Sequence, residues 1–318
     1  MFNSVLRGIF MDMAIQIFCS ISQTFLIFAL GALAMKLDML RKETLPVLTR
    51  LAMDYFMPFL IFTSITGLAG SNASGKDLLM LPLLGAGMMA LGYALGFLFR
   101  FCLFNRTPER MGTLHHICSI NNYVFLPIIV IDALWGKERV GYLLVMNVGF
   151  TVAFWTFGVL AFAGKITVRE ILKKVFSINV IAVFVALIFL LGEIPIPRMI
   201  SGAASMMGSL AVPLMLFLTG GALYECFGAL RDNLKDAFIT AIIRLLLLPF
   251  ILLLLLRLLP LSRTVYEICA VIATMPAASA SVLVAARYGG SKEFAGQAIL
   301  LTTIFSIFTI PPFLRIFL

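Results

Sequence analysis

Charge is scarce in this chain. Only 12% of its 318 residues are Asp, Glu, Lys or Arg, against 62% that are hydrophobic, whereas a soluble domain carries roughly 25% charged residues. So little charge cannot cover that much apolar surface in water, and a bilayer is the expected solvent for much of the chain. Histidine is nearly absent. His115 and His116 stand alone, without the further ligands of a zinc site. The five cysteines, Cys19, Cys102, Cys118, Cys226 and Cys269, show neither CxxC nor metal spacing and sit in apolar stretches. They read as small apolar fillers, and no disulfide framework is expected. Walker, GxSxG and HExxH motifs are missing, as is a carboxylate pair on one helix face. Neither ATP hydrolysis nor intramembrane proteolysis is supported, so no enzyme activity and no cofactor is expected. The net charge of +9 is spread singly through short linkers with no basic run. Nucleic acid is therefore not an expected partner; the charge reads as a topology signal with a mild preference for anions.

What the chain has is long apolar runs. Ten segments stand out, at roughly 14–35, 44–66, 78–104, 110–134, 140–163, 175–192, 198–224, 235–260, 265–288 and 294–317. Each is near the ~20 residues that cross a bilayer, so an all-α membrane protein with ten transmembrane helices is expected. The run from Met13 to Met35 is too long for a signal-peptide core and reads as a retained first span. Linkers after odd-numbered segments hold 14 Lys and Arg, against 8 in the termini and the other linkers. That excess places the odd linkers in the cytoplasm, including the central polar stretch 165–174, and both termini outside.

An internal repeat shows at an offset of 155 residues. Pro58 matches Pro213, Phe62 matches Phe217, Lys137-Glu138 matches Lys292-Glu293, and Gly141 matches Gly296. Five spans per copy is an odd number, so the second copy must enter the membrane inverted. The expected organisation is a first five-helix repeat over 1–164, a linker at 165–174, and a second, inverted repeat over 175–318.

The chemistry is expected in segments four and nine. Segment four carries Asn121-Asn122-Tyr123-Val124-Phe125-Leu126-Pro127, segment nine carries Thr274-Met275-Pro276-Ala277-Ala278-Ser279-Ala280-Ser281, and Asn121 falls on Pro276 at the repeat offset. Proline removes a backbone donor and clashes with the preceding turn, while Asn and Ser offer competing local hydrogen bonds. Interrupted helices persist at membrane depth only inside protein or along a wet cavity. A matched pair of breaks is a pointer to a transport site, and each break exposes a half-helix N-terminus suited to an anion. Asn121, Asn122, Pro127, Thr274, Pro276, Ser279 and Ser281 are the candidate substrate contacts. Structural kinks without a ligand are the alternative. Coupling or supporting candidates are Asp54, Pro58, His116, Pro213 and Arg244. Asp54 has an alternative as the intrahelical partner of Arg50. Arg244 reads as a substrate counter-charge or as a snorkelling or paired cation. His116 reads as a proton-coupling group or as an ordinary helix residue near the cytoplasmic mouth.

These residues resemble the auxin efflux carrier family, the PIN-like transporters and their bacterial organic-acid permease relatives. The resemblance rests on Asn121 to Pro127 with Leu134-Trp135-Gly136, on Ala211-Val212-Pro213-Leu214 with Thr219-Gly220-Gly221-Ala222, on Met275-Pro276-Ala277-Ala278 with Tyr288-Gly289, and on Thr309-Ile310-Pro311-Pro312. It covers nearly the whole chain. It implies ten helices, outward termini, a scaffold of segments one, two, six and seven, a moving domain of the others, and a crossing of segments four and nine that binds a carboxylate. Bacterial relatives include malate and malonate permeases, which implies a small organic anion as substrate, a plasma (bacterial inner) membrane location and a homodimer. A second proline or glycine that the family often carries near Ile128-Ile129 is missing, which leaves the register of Asn121 against Asn122 open. The long cytoplasmic loop of the plant hormone exporters is also missing. Coupling to H⁺ or Na⁺ stays open. The alternatives are a sodium-coupled carrier like the bile acid symporters, which have a related fold, and a sensor that binds without transport.

Overall fold

The computed structural model describes residues 2–69, 74–162, 168–227 and 234–318, with side chains from Ile15 onward apart from Val168 and Lys173. Residues 165–167 of the expected central linker, and Arg231, lie outside the described residues. Within them the chain is almost entirely helical, as an apolar solvent requires, because a helix satisfies its own backbone hydrogen bonds. Seven helices are long and apolar enough to cross a membrane: α1 (Phe2–Lys36, apolar from Ile15), α2 (Leu45–Thr66), α3 (Gly75–Cys102), α6 (Lys137–Gly158), α9 (Arg198–Cys226), α10 (Lys235–Arg257) and α13 (Lys292–Phe317). Between them lie α4 (Pro108–Ser119), α5 (Phe125–Trp135), α7 (Val168–Val175), α8 (Ile178–Leu191), α11 (Arg263–Ala273) and α12 (Ser281–Tyr288).

Segment four is thus two helices, α4 and α5, and segment nine is α11 and α12. The sixth segment, expected as a full span, holds the 14-residue α8. At 1.5 Å per residue that is about 21 Å, short of the ~30 Å hydrocarbon thickness.

Prolines deform several of the long helices without ending them. A proline at position i removes the bond to i−4 and crowds that carbonyl. Ahead of Pro58 the chain widens into a π-turn over Ala52–Phe56, and ahead of Pro249 it does the same over Ile243–Leu247. Ahead of Pro213 a single turn residue, Leu210, separates the two halves of α9. Pro58 and Pro213 therefore disturb the helix locally without ending α2 or α9. Gly136 (φ +81°) and Gly289 (φ +80°) end α5 and α12 in conformations that side chains with a Cβ rarely adopt.

Two groups of close neighbours stand out, and they pack on each other through α1 with α5 and α13 and through α2 with α6. In one, α1 packs along α9, and α2 packs against α8 and the start of α9. Gly31 and Gly220 allow the α1–α9 approach, since a Cβ on either would collide with the carbonyl of Phe217 or Phe28. In the other, α3 packs against α4 and α6, and α10 against α11 and α13. Ion pairs follow the same division. Lys42–Glu225 (3.6 Å) and Arg50–Asp54 (3.4 Å) lie within the first set; Arg110–Asp236 (2.9 Å), Arg263–Glu267 (2.9 Å) and Arg139–Glu267 lie within the second. Where the sets meet, Phe28, Leu216 and Leu223 pack on Ile117, Ala277, Ala298, Ile299 and Leu300 in one apolar cluster.

Candidate functional site

Two interrupted stretches, Ile120–Val124 and Thr274–Ala280, come together. Asn121 and Ala277 form an isolated antiparallel β-bridge, and the Asn122 N–H donates to the Pro276 carbonyl at 2.8 Å. Each stretch supplies backbone partners the other lacks, which is how non-helical chain survives in an apolar interior. The Asn121 side chain, 5% exposed, donates its amide N–H to the Ile272 carbonyl at 2.6 Å. The Ala277 N–H donates to the Thr302 hydroxyl of α13 at 3.3 Å. The Tyr123 ring lies 4.9 Å from that of Phe150 of α6, tilted by 38°. The half-helices leaving the breaks, α5 and α12, have no side-chain cap at Val124 and Ala280; in α12 the Ser281 and Leu283 N–H groups donate to the Ala278 and Ala280 carbonyls at 3.0 and 3.1 Å, which leaves Val282, with Phe125 and Leu126 of α5, as the first-turn donors open to a ligand among the described residues.

The two asparagines differ in their contacts. Asn121 is committed to the other break. Asn122 is half-buried, as is Ser279 in the second break, and among the described residues neither side chain has a hydrogen-bond partner. Pro276 contributes its carbonyl to the join, and Pro127 is buried as the third residue of α5. Thr274 turns its hydroxyl back onto the Val271 carbonyl at 2.7 Å. Ser281 bonds His116 Nε2 at 3.0 Å, while His116 Nδ1 lies 2.7 Å from the Gly158 carbonyl. A carbonyl only accepts, so Nδ1 carries the proton of the neutral ring and Nε2 accepts from Ser281. His116 is fully buried and ties α4, α6 and α12 together.

Arg244 occupies the π-turn of α10 and is 2% exposed. Its Nε–H donates to the Met275 carbonyl at 3.0 Å and Nη1–H to the Cys118 carbonyl at 3.2 Å, so it touches both interrupted segments. It neither snorkels nor, among the described residues, pairs with a carboxylate. Asp54, by contrast, pairs with Arg50 on an exposed face of α2. Pro58 and Pro213 shape α2 and α9, outside the breaks.

One contact of the site, and its counterpart at the repeat offset, escape a reading by motif. Thr302 holds the second break, and Asn147 of α6 keeps a buried carbonyl oxygen without a partner among the described residues. They are 155 residues apart, so the repeat offset was a signal that could have found them. A cavity of about 1080 Å³ opens elsewhere, among Thr66, Phe189, Arg198 and Ser201, and none of the break residues lines it.

Seven long apolar helices around an interrupted, cross-bonded pair define a multi-pass membrane protein. A family model described as Membrane transport protein matches residues 16–314, and the chain belongs to that family, the auxin efflux carriers, which are membrane transporters. A search of curated proteins gave no match.

Proposed function

We propose that the protein is a secondary carrier for a small organic anion, a carboxylate or dicarboxylate such as malate or malonate, working by alternating access. In this reading α4 with α5 and α11 with α12 each count as one interrupted span, giving ten spans in two inverted repeats. The paired helix starts support the repeat: Pro108 and Arg263, and Lys137 and Lys292, keep the 155 offset. The α1, α2, α8 and α9 set is the scaffold, and α3–α6 with α10–α13 is the moving body. Both termini face outward from a plasma membrane.

One observation carries the substrate reading. Asn122 and Ser279, one from each break, are half-buried polar side chains without partners among the described residues, beside two half-helix starts that have no side-chain cap. Uncapped N–H groups and the positive end of the helix dipole favour a carboxylate, and an amide and a hydroxyl supply further donors. For turnover, the site must bind the anion comparably when it faces either side, because a ligand shifts conformers only through differential affinity.

The test is uptake of labelled malate, malonate and indole-acetate into proteoliposomes. The expected result is saturable uptake of at least one acid, sharply reduced in Asn122→Ala/Ser279→Ala protein that remains monodisperse. Uptake unchanged in that variant would remove the site; counter-flow absent for every acid would favour a sensor over a carrier.

A further inference from the structure

We infer that Arg244 sets the charge selectivity of the crossing by neutralising its two negative helix ends. The inference rests on the anion-carrier reading above and deepens it. Where two interrupted helices meet, four ends meet. Two are C-terminal ends, of α4 and α11, the negative ends of their helix dipoles. Two are N-terminal starts, of α5 and α12, the positive ends of their helix dipoles and without a side-chain cap. Each end carries up to about half an elementary charge, negative at the C-terminal end and positive at the start. Left alone, the four nearly cancel, and the crossing has no strong preference for either sign.

Arg244 breaks that balance. Its guanidinium donates to the Cys118 carbonyl in the last turn of α4 and to the Met275 carbonyl just past the end of α11. Both negative ends are thereby bound to one cation. The starts of α5 and α12 are left unopposed, and among the described residues no carboxylate pairs with Arg244. In a low-dielectric interior an unbalanced charge of this kind is costly until an anion joins it. By this count the crossing balances roughly one negative charge, which fits a single carboxylate group between α5 and α12. The π-turn is what places the cation there: Pro249 widens the backbone over Ile243–Leu247, the turn that carries Arg244. Arg244 acts on the ligand through the helix ends it holds, as a specificity-determining residue.

The experiment compares malonate with its uncharged analogue malonamide, each as competitor of labelled malonate binding to detergent-purified protein. Wild type should bind malonate at least about tenfold more tightly. Arg244→Gln keeps a donor to the carbonyls and removes the charge; it should weaken malonate by roughly 10- to 100-fold and leave malonamide nearly unchanged. Arg244→Lys, which keeps the charge, should recover part of the discrimination. A purely structural role would move both ligands together. Equal affinity of wild type for malonate and malonamide overturns the inference without any variant. So does an Arg244→Gln protein that discriminates as wild type does. Wild type that neither binds nor transports any carboxylate overturns the carrier reading itself, and the inference with it.

Discussion

Asn121 ties the two breaks together through its side chain, and the energy of that tie can be worked out. The amide N–H donates to the Ile272 carbonyl at 2.6 Å in a buried setting. An orphaned buried carbonyl costs about 1–3 kcal/mol. Here the carbonyl also accepts from the Met275 N–H at 3.2 Å, so Asn121→Ala does not leave it bare. Side-chain hydrogen bonds between membrane helices average ~0.6 and reach ~1.7 kcal/mol. Asn121→Ala should therefore cost about 1 kcal/mol, or roughly fivefold in the population of the joined state. Asn121→Asp is the sharper perturbation. It keeps the size, replaces the donor with a carboxylate, and sets negative charge against a carbonyl oxygen in a buried site, which costs several kcal/mol more. Thermal unfolding in detergent should rank wild type above Ala and Ala above Asp, with the Ala shift only about 2 °C for a chain of this length. Labelled-acid uptake should fall in the same order. An Asp variant as stable and as active as wild type would mean that Asn121 does not bond Ile272 in the membrane.

Asp236 and Asp54 make opposite predictions although both sit in ion pairs. Asp236, nearly buried, accepts from the Phe104 and Asn105 N–H groups and from Arg110; Asp236→Asn should cost roughly 2–4 kcal/mol in unfolding measurements. Asp54 is exposed beside Arg50, so Asp54→Asn should change stability by less than about 1 kcal/mol and leave uptake intact; lost uptake would restore it as a coupling residue.

The helices were legible because bilayer thickness and backbone hydrogen bonding leave a sequence few choices. Pro276 with its neighbouring Ser and Thr, and the two asparagines ahead of Pro127, marked both interruptions. What stayed hidden depends on contacts between distant residues. Arg110 and Asp236 lie far apart in the chain, and nothing local says they pair. Arg244 read equally well as a snorkelling cation, because its burial depends on how α10 packs against both breaks. Asn121 and Asn122 are adjacent and chemically identical, yet one reaches Ile272 and the other reaches no partner; an alternation of face in extended chain decides it. The sixth segment, read as 175–192, is shorter as a helix because Ser177 caps the start of α8 and Gly192 its end.

A moving body needs a boundary that can slide. Breaking a buried ion pair costs 3–5 kcal/mol, so a boundary laced with such pairs would hold the two sets of helices in one position. The ion pairs named above each stay within one set, and an apolar cluster spans the boundary. Apolar contacts in a bilayer can be exchanged for lipid or for other apolar contacts at little cost. On the carrier reading proposed above, motion is expected at the division between the sets, and it can be arrested there. Gly296 of α13 faces α9 so closely that a Cβ on it would lie 3.3 Å from the Cβ and 3.1 Å from the Sγ of Cys226. Disulfides need Cβ atoms about 3.5–4.5 Å apart, a few tenths of an ångström of relaxation away. Gly296→Cys should therefore oxidise with Cys226 under mild copper–phenanthroline, seen as a reductant-sensitive shift after cleavage between them. Uptake should stop on oxidation and return with dithiothreitol. A cross-link that forms fully and leaves uptake unchanged would mean that α9 and α13 travel together, and the boundary of the moving body would have to be drawn elsewhere.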